Sequence, residues 1–233
     1  TTHALSAIFG VMTAGGAYVA IDPATPTARI ETILETAQPT VVLTTESTAS
    51  ALPGTYRGHV VVLDDPTFDD ALAAYSDAPL TDTDRKAPLL AEHPAYVVFT
   101  SGSTGTPKAV EAVHRGLVAL WHSHRADLYQ PTTAQAGRDH LHVGHAWSFA
   151  FDASWQPQLW LLDGHTLYLV NEDTRRDPVQ MVAQAHRQRW DFLEVTPSHL
   201  TQLLDAGLVG DEGPTTLGFG GEAVAGPLWD RLN

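Results

Sequence analysis

The sequence predicts an α/β fold with largely parallel sheets flanked by helices. Two observations carry that reading. Short, continuous apolar runs alternate with segments whose apolar residues recur at helical spacing, and glycine, proline or aspartate marks the junctions between them. Strands alternating with helices of this length imply right-handed crossovers.

From the N-terminus, Leu5, Ile8, Phe9 and Met12 recur at helical spacing, and Gly15-Gly16 stands where a left-handed cap is wanted, predicting a helix over 2–14. Residues 18–21 read as a short buried strand stopped by Asp22-Pro23. Ile30, Ile33, Leu34 and Ala37 mark a second helix capped near Thr27. The apolar runs 41–43 and 60–63 read as strands buried on both faces. Residues 76–94, SDAPLTDTDRKAPLLAEHP, turn polar and proline-bearing, as in a surface connection or subdomain boundary. Val97, Val98 and Phe99 form the next buried strand. Beyond it the pattern predicts helices over 114–127, 152–162, 177–189, 198–206 and 224–232, with strands over 141–144, 166–170, 191–195 and 215–219. There is no internal repeat and no low-complexity tract.

A chain of 233 residues, 43% hydrophobic and 17% charged, has material for one large or two modest cores. Its formal charge of -14 argues against a protein that coats nucleic acid or an anionic membrane, so any nucleotide has to be held locally. No apolar run is long enough to span a bilayer, and the N-terminus lacks the basic stretch of a secretory signal, which makes a cytoplasmic location the default expectation. The absence of cysteine excludes disulfides, thiolate metal sites and a cysteine nucleophile. The chain does not start with methionine, as expected of a piece of a longer protein.

The richest stretch is 96–110, YVVFTSGSTGTPKAV. An apolar strand runs into a loop where Gly102 and Gly105 let the backbone turn and approach a ligand. Thr100, Ser101, Ser103, Thr104 and Thr106 offer hydroxyls and amides to phosphate oxygens, and Lys108 supplies positive charge. The chain has two lysines against eleven arginines, so a lysine in this loop is unlike its general surface charge. This is no Walker A loop: Ala109 follows the lysine, where that motif needs a hydroxyl for magnesium. The histidines of His122-x-His124 and His140-x-His142, with His145 nearby, raise a metal reading, but helical spacing puts the first pair on different faces, and the second pair shares a face only if extended.

The loop resembles the phosphate-binding signature of the adenylate-forming superfamily, roughly Y-T-S-G-S/T-T-G-x-P-K-G, with Ala109 in place of the last glycine. Three further segments resemble one branch of it, the amino-acid adenylation domains of nonribosomal peptide synthetases. MTAGGAYVAID at 12–22 is similar to L-K-A-G-G-A-Y-V-P-I-D, with Thr13 for lysine and Ala20 for proline. Phe151-Asp152-Ala153-Ser154 is similar to F-D-x-S, and Gly220-Gly221-Glu222-Ala223 to G-G-E-A. The branch's N-x-Y-G-P-T-E and Y-x-T-G-D elements and its C-terminal lysine would lie beyond Asn233. The resemblance therefore implies the interior part of a large N-terminal core, inactive by itself.

In this family a carboxylate attacks the α-phosphate of Mg-ATP, pyrophosphate leaves, and the aminoacyl group passes to a carrier protein's phosphopantetheine thiol. The resemblance thus implies ATP and Mg2+, an amino-acid substrate, neighbouring carrier and condensation domains, and a small MbtH-like accessory protein. It gives phosphate binding to Thr100, Ser101, Gly102, Ser103, Thr104, Gly105 and Lys108, with Thr104 and Lys108 acting in catalysis. Gly220, Gly221 and Glu222 would lie against the nucleotide; the alternatives are tight strand-to-helix packing for the glycines and a helix's first turn for Glu222. Asp152 would pair with the substrate's α-ammonium, or else serve as an N-cap. Ala153, Gln156, Glu194, Gly218 and Gly220 would line the amino-acid pocket with Asp152. The two glycines there would leave room, and a buried Glu194 would favour a basic or donor-rich side chain, unless it points to the open face of the sheet. Two rival readings stand beside this one: a non-catalytic folded fragment that binds nucleotide weakly, and an acyl-CoA synthetase-like ligase, in which the residue at Asp152 is usually not acidic.

Overall fold

The computed structural model describes residues 1–100, 108–224 and 226–232, and the chain divides into two compact units, Thr1–Gly116 and Leu117–Asn233.

In the first unit, helix α1 (Thr2–Thr13) starts at Thr1, whose hydroxyl accepts from the Ala4 amide, and buries Ile8. It stops at Gly15, which takes φ +86°, and the Gly16 amide closes the turn on the Val11 carbonyl at 2.9 Å. A Cβ on Gly16 would sit 3.3 Å from that carbonyl oxygen. The AGGAYV stretch is thus a helix stop that feeds strand β1 (Tyr18–Val19). Helix α2 (Thr27–Ala37) buries Ile30, Ile33 and Leu34 and ends at Gln38 in the left-handed region. Next come β2 (Val42–Thr44), the single turn α3 (Glu46–Ala49), β3 (Val60–Val62) and α4 (Pro66–Leu72).

β2 and β3 form a parallel pair of their own, and both are half-buried rather than covered on two faces, with Val60 exposed. An isolated two-stranded sheet has no second layer on its far side. The polar stretch 76–94 lies within this unit. Its Arg85 donates to the Thr13 carbonyl at 2.8 Å and to Asp82 at 2.7 Å, which pins it to the end of α1. Strand β4 (Pro94–Thr100) pairs parallel with β1 and antiparallel with β5 (Lys108–Val113), in the order β1-β4-β5. Tyr18 and Tyr96 stack across β1 and β4, 5.8 Å between ring centres. β4 is half-buried, and β5 carries no apolar run because it is a largely exposed edge.

The chain passes into the second unit along α5 (His114–His124). The helix expected over 114–127 runs on through one wide π turn, Arg125–Tyr129, into α6 (Gln130–Ala136), which stops at Gly137 with φ +65°. Strand β6 (His142–His145) follows. The helix expected over 152–162 is broken into a 3-10 turn (Asp152–Ser154), the single turn α7 (Trp155–Gln158) and a second 3-10 stretch (Leu159–Asp163). Two residues account for the break. Pro157 has no N–H to offer, and Gln158 Nε2 takes the Ser154 carbonyl at 2.9 Å, an acceptor a regular helix would keep for itself.

Then come β7 (Thr166–Leu169), α8 (Glu172–Arg176), α9 (Pro178–Gln188), β8 (Phe192–Val195), α10 (Pro197–Asp205), β9 (Thr216–Phe219) and α11 (Gly226–Leu232). The four strands pair in parallel in the order β7-β6-β8-β9. Alternation along β8 divides the faces. Leu193 and Val195 join Met181, Val182 and Ala185 of α9 and Leu200, Leu203 and Leu204 of α10 in one core, whereas Phe192 turns to the other face and packs on Trp160, which meets Tyr129. β6 leads outward to β7 and β8 leads the other way to β9, so the strand order switches between β6 and β8. Crevices beyond the carboxyl ends of parallel strands at such a switch point are where α/β sheets receive ligands.

Candidate active site

In the first unit the structure closes the candidate phosphate loop as a hairpin. Thr100 and Lys108 face each other as the last residues paired in the β4–β5 ladder, and the Thr100 hydroxyl donates to the Lys108 carbonyl at 3.5 Å. Both are exposed. Ser101, Gly102, Ser103, Thr104 and Gly105 lie outside the described residues. Lys108 therefore opens a returning strand rather than a helix. β4 is anchored by β1, so the helix stop at Gly15 indirectly positions the strand that carries the loop.

In the second unit the candidate substrate residues lie on two stretches: Asp152, Ala153 and Gln156 on the segment after β6, and Glu194, Gly218 and Gly220 on or just after the adjoining strands β8 and β9. Asp152 is exposed in the first turn after Phe151, and its Oδ1 accepts from the Ala153 amide at 2.8 Å. Phe151, not Asp152, occupies the N-cap position, so the carboxylate is left presented to solvent. Ala153 and Gln156 are half-buried on the same short segment.

Glu194 does not face an open side: it is 7% exposed, in register with His145 of β6 and Gly218 of β9. Burial raises its carboxyl to about 7. Gly218 does not leave room for a ligand as expected, because a Cβ there would lie 3.0 Å from Glu194 Cγ; the space belongs to Glu194 itself. Gly220 differs, having nothing within 4 Å of a Cβ built upon it.

Gly221 takes φ +82°, and a Cβ there would come 3.9 Å from Thr196 and 4.0 Å from Trp147. Those two residues help line a cavity of about 310 Å³ between the ends of β6 and β8, with Arg175 and His199 on its wall. Glu222 precedes α11 rather than standing in its first turn. Its carboxylate accepts from the Ser198 amide at 3.0 Å and the Ser198 hydroxyl at 2.9 Å, so it caps the start of α10 instead. Ser198 was invisible as a partner in the sequence; the only signal was the Thr196-Pro197 helix start. The Ser198 bonds hold the Glu222 carboxyl below the usual carboxylate range. A folded-state value lowered in this way stabilises above the carboxylate range and is lost as pH falls through it. Glu222→Ala is thus expected to lower the melting temperature at pH 7, with the difference from the parent protein vanishing in acid; thermal melts at pH 7 and pH 3 check it.

Among the described residues no group of three or more His, Asp or Glu side chains converges on a metal position. His140 and His142 do lie close, rings 5.9 Å apart, but His140 bonds Thr166 and His142 bonds the Gln188 carbonyl. Among the described residues, too, no helix is long and apolar enough to cross a membrane.

The whole of this chain, residues 1–233, matches the family described as AMP-binding enzyme. It belongs to that family. This AMP-binding enzyme chain is similar to vanchrobactin synthetase VabF of Vibrio anguillarum, 34% identical over 248 residues that cover 97% of the chain and 8% of VabF. Its structure is similar to that of the nonribosomal peptide synthetase FmoA3 in an AMPPNP-bound form, with a TM-score of 0.80 and 26% identity over 98% of the chain and 23% of FmoA3. It is also similar to holo-AB3403, a four-domain nonribosomal peptide synthetase bound to AMP and glycine, with a TM-score of 0.76 and 26% identity over 100% of the chain and 16% of that protein. The AMP-binding enzyme chain thus spans less than a quarter of the length of each of these proteins.

Proposed function

We propose that this AMP-binding enzyme chain forms the interior of the N-terminal core of an amino-acid adenylation domain, and that the intact protein activates an amino acid with ATP as an aminoacyl-adenylate. Asp152 carries the amino-acid part of the reading. Its carboxylate is exposed in the first turn after Phe151 and accepts from one neighbouring amide, which leaves acceptor capacity for an α-ammonium. A ligase for plain carboxylic acids has no use for an anion there.

In this proposal the substrate carboxylate attacks the α-phosphorus and pyrophosphate departs, so negative charge grows on the leaving group. Donors from the loop 100–106 and the Lys108 ammonium offset it, while Thr104 supplies a hydroxyl to the same phosphates. Gly220 and Gly221 let the nucleotide approach the backbone, and Glu222 acts through the α10 cap that positions them. Ala153, Gln156, Glu194 and Gly220 line the amino-acid pocket, Gly218 making space for Glu194. A carrier protein's phosphopantetheine thiol receives the aminoacyl group; condensation and carrier domains, an MbtH-like protein and a cytoplasmic setting complete the proposal.

Amino-acid-dependent ATP–pyrophosphate exchange, run on the intact protein across a panel of amino acids, tests this directly. Exchange that depends on one or a few amino acids supports the reading, and none with any amino acid sinks it. Asp152→Ala is expected to lower kcat/KM for the best amino acid by roughly 10- to 100-fold, as for the loss of one charge-assisted hydrogen bond. Binding of the corresponding desamino acid should hardly change. Equal losses for both would remove Asp152 from ammonium recognition.

A further inference from the structure

Of the buried polar atoms on the sheet face opposite α9 and α10 that have no hydrogen-bond partner among the described residues, four are Tyr129 OH, His145 Nε2, Gln158 Oε1 and Glu194 Oε2. Their residues are 1%, 2%, 0% and 7% exposed. Isolated orphans of this kind are uncommon, and several on one face point to a partner that arrives from outside.

Three of the four are linked. His145 and Glu194 are register neighbours on β6 and β8. Gln158 Nε2 donates to the Ser154 carbonyl at 2.9 Å and to the Ser154 hydroxyl at 3.1 Å, and the His145 imidazole also bonds the Ser154 backbone. Burial raises the Tyr129 hydroxyl, and the nearby charges of Asp163 and Glu194 raise it further. The Ser154 contact also fixes which way the Gln158 amide points. A carbonyl can only accept, so Nε2 faces it and Oε1 is left as the unpaired acceptor. Burial keeps His145 neutral at pH 7, with its imidazole lowered to about 4.

We infer that Glu194, His145 and Gln158 form the polar floor of the amino-acid pocket, and that the amino acid taken there carries a planar fork of N–H donors, a guanidino or carboxamide group. The inference rests on the adenylation reading above and adds His145 and Gln158 to the residues that decide specificity. Two buried acceptors without partners, a carboxylate and an amide oxygen, call for a side chain that brings more than one N–H donor. A hydroxyl brings one donor, and an ammonium is a compact, strongly hydrated charge that is costly to bury. Gly218 belongs to the same design, since a Cβ there would press on Glu194 at 3.0 Å from its Cγ.

The test is exchange by the intact protein with arginine, glutamine, leucine and phenylalanine, together with Gln158→Met and His145→Gln, both near their parents in volume. Arginine or glutamine should lead, the leader telling guanidino from carboxamide. Each variant should cut kcat/KM for that leader by roughly 10- to 100-fold, chiefly through KM, and leave leucine unchanged or improved. A lead for leucine or phenylalanine overturns the inference, as does an equal loss for every substrate. Should either variant fail to fold, Glu194→Gln decides: the ratio of arginine to glutamine rates should fall at least about tenfold, and a constant ratio counts against the floor. If no amino acid supports exchange, the adenylation reading fails on its own. Calorimetric titration with arginine and glutamine then judges the floor: binding weakened about tenfold or more by Gln158→Met upholds it, and no binding overturns it.

Discussion

Replacing Lys108 by alanine is expected to lower ATP–pyrophosphate exchange by about 100- to 1,000-fold while leaving the melting temperature unchanged, the loss typical of one donor aimed at developing negative charge. The two halves of the expectation have separate physical origins. Stability is spared because Lys108 is exposed and its place in the ladder opposite Thr100 is held by the main chain, which alanine keeps. Activity should fall because, in the proposed reaction, the ammonium faces an anion whose charge grows as pyrophosphate leaves, so the contact strengthens toward the transition state and its loss should appear mostly in kcat. Lys108→Arg keeps the charge but offers a broad fork in place of a compact point charge, and should recover only part of the rate. Steady-state exchange kinetics and thermal melts on the same preparations check both halves. An alanine variant that retains full exchange removes Lys108 from the chemistry.

Where the sequence could be read, its apolar residues obeyed one local rule. The helices over 177–189 and 198–206 and the strands over 191–195 and 215–219 are close to α9, α10, β8 and β9 because each buries a regular stripe or a continuous run in a single core. Elements that bury little left no such trace. α3 and α4 bury no residue completely, and β5 is an exposed edge defined only by its pairing with β4. The break around Pro157 was written in the sequence, but the periodicity of Trp155, Leu159 and Leu162 outweighed it.

The candidate site divides along the same line. Asp152 and the loop lysine could be proposed because short motifs surround them. Three other features depend on residues brought together only by folding: the capping of α10 by Glu222, the filling of the space at Gly218 by Glu194, and the convergence of His145 and Gln158 on Ser154. The spacing of Glu222 and Ser198 along the chain, 24 positions, carries no signal that either one needs the other.

Trp190→Ala is expected to destabilise the second unit by about 3–5 kcal/mol, the cost of emptying a fully packed aromatic site, which is a large share of a typical domain's stability. Trp190 is buried in the core shared with α9 and α10, and its indole N–H donates to Gln188 Oε1 at 2.9 Å. The ring lies directly over Gly144 in the middle of β6: a Cβ at that position would fall 2.6 Å from Trp190 Cε3. Two carbon atoms cannot approach so closely, so Gly144→Ala should cost about 1–3 kcal/mol by forcing the ring or the strand to move. The double variant separates this pairwise cause from general damage. Without the indole, the added methyl meets no ring, so the double variant should be less destabilised than the sum of the two single losses. Urea unfolding followed by circular dichroism, read at the transition that Trp190→Ala moves, checks the cycle. Strict additivity would mean that Gly144 is required for some reason other than the ring. The contact bears on the proposed function because the chain runs from β6 through 146–151 to Asp152. A strand free to shift against α9 would move the carboxylate relative to β8 and β9, so Gly144→Ala should also raise KM for the amino acid more than it raises KM for ATP.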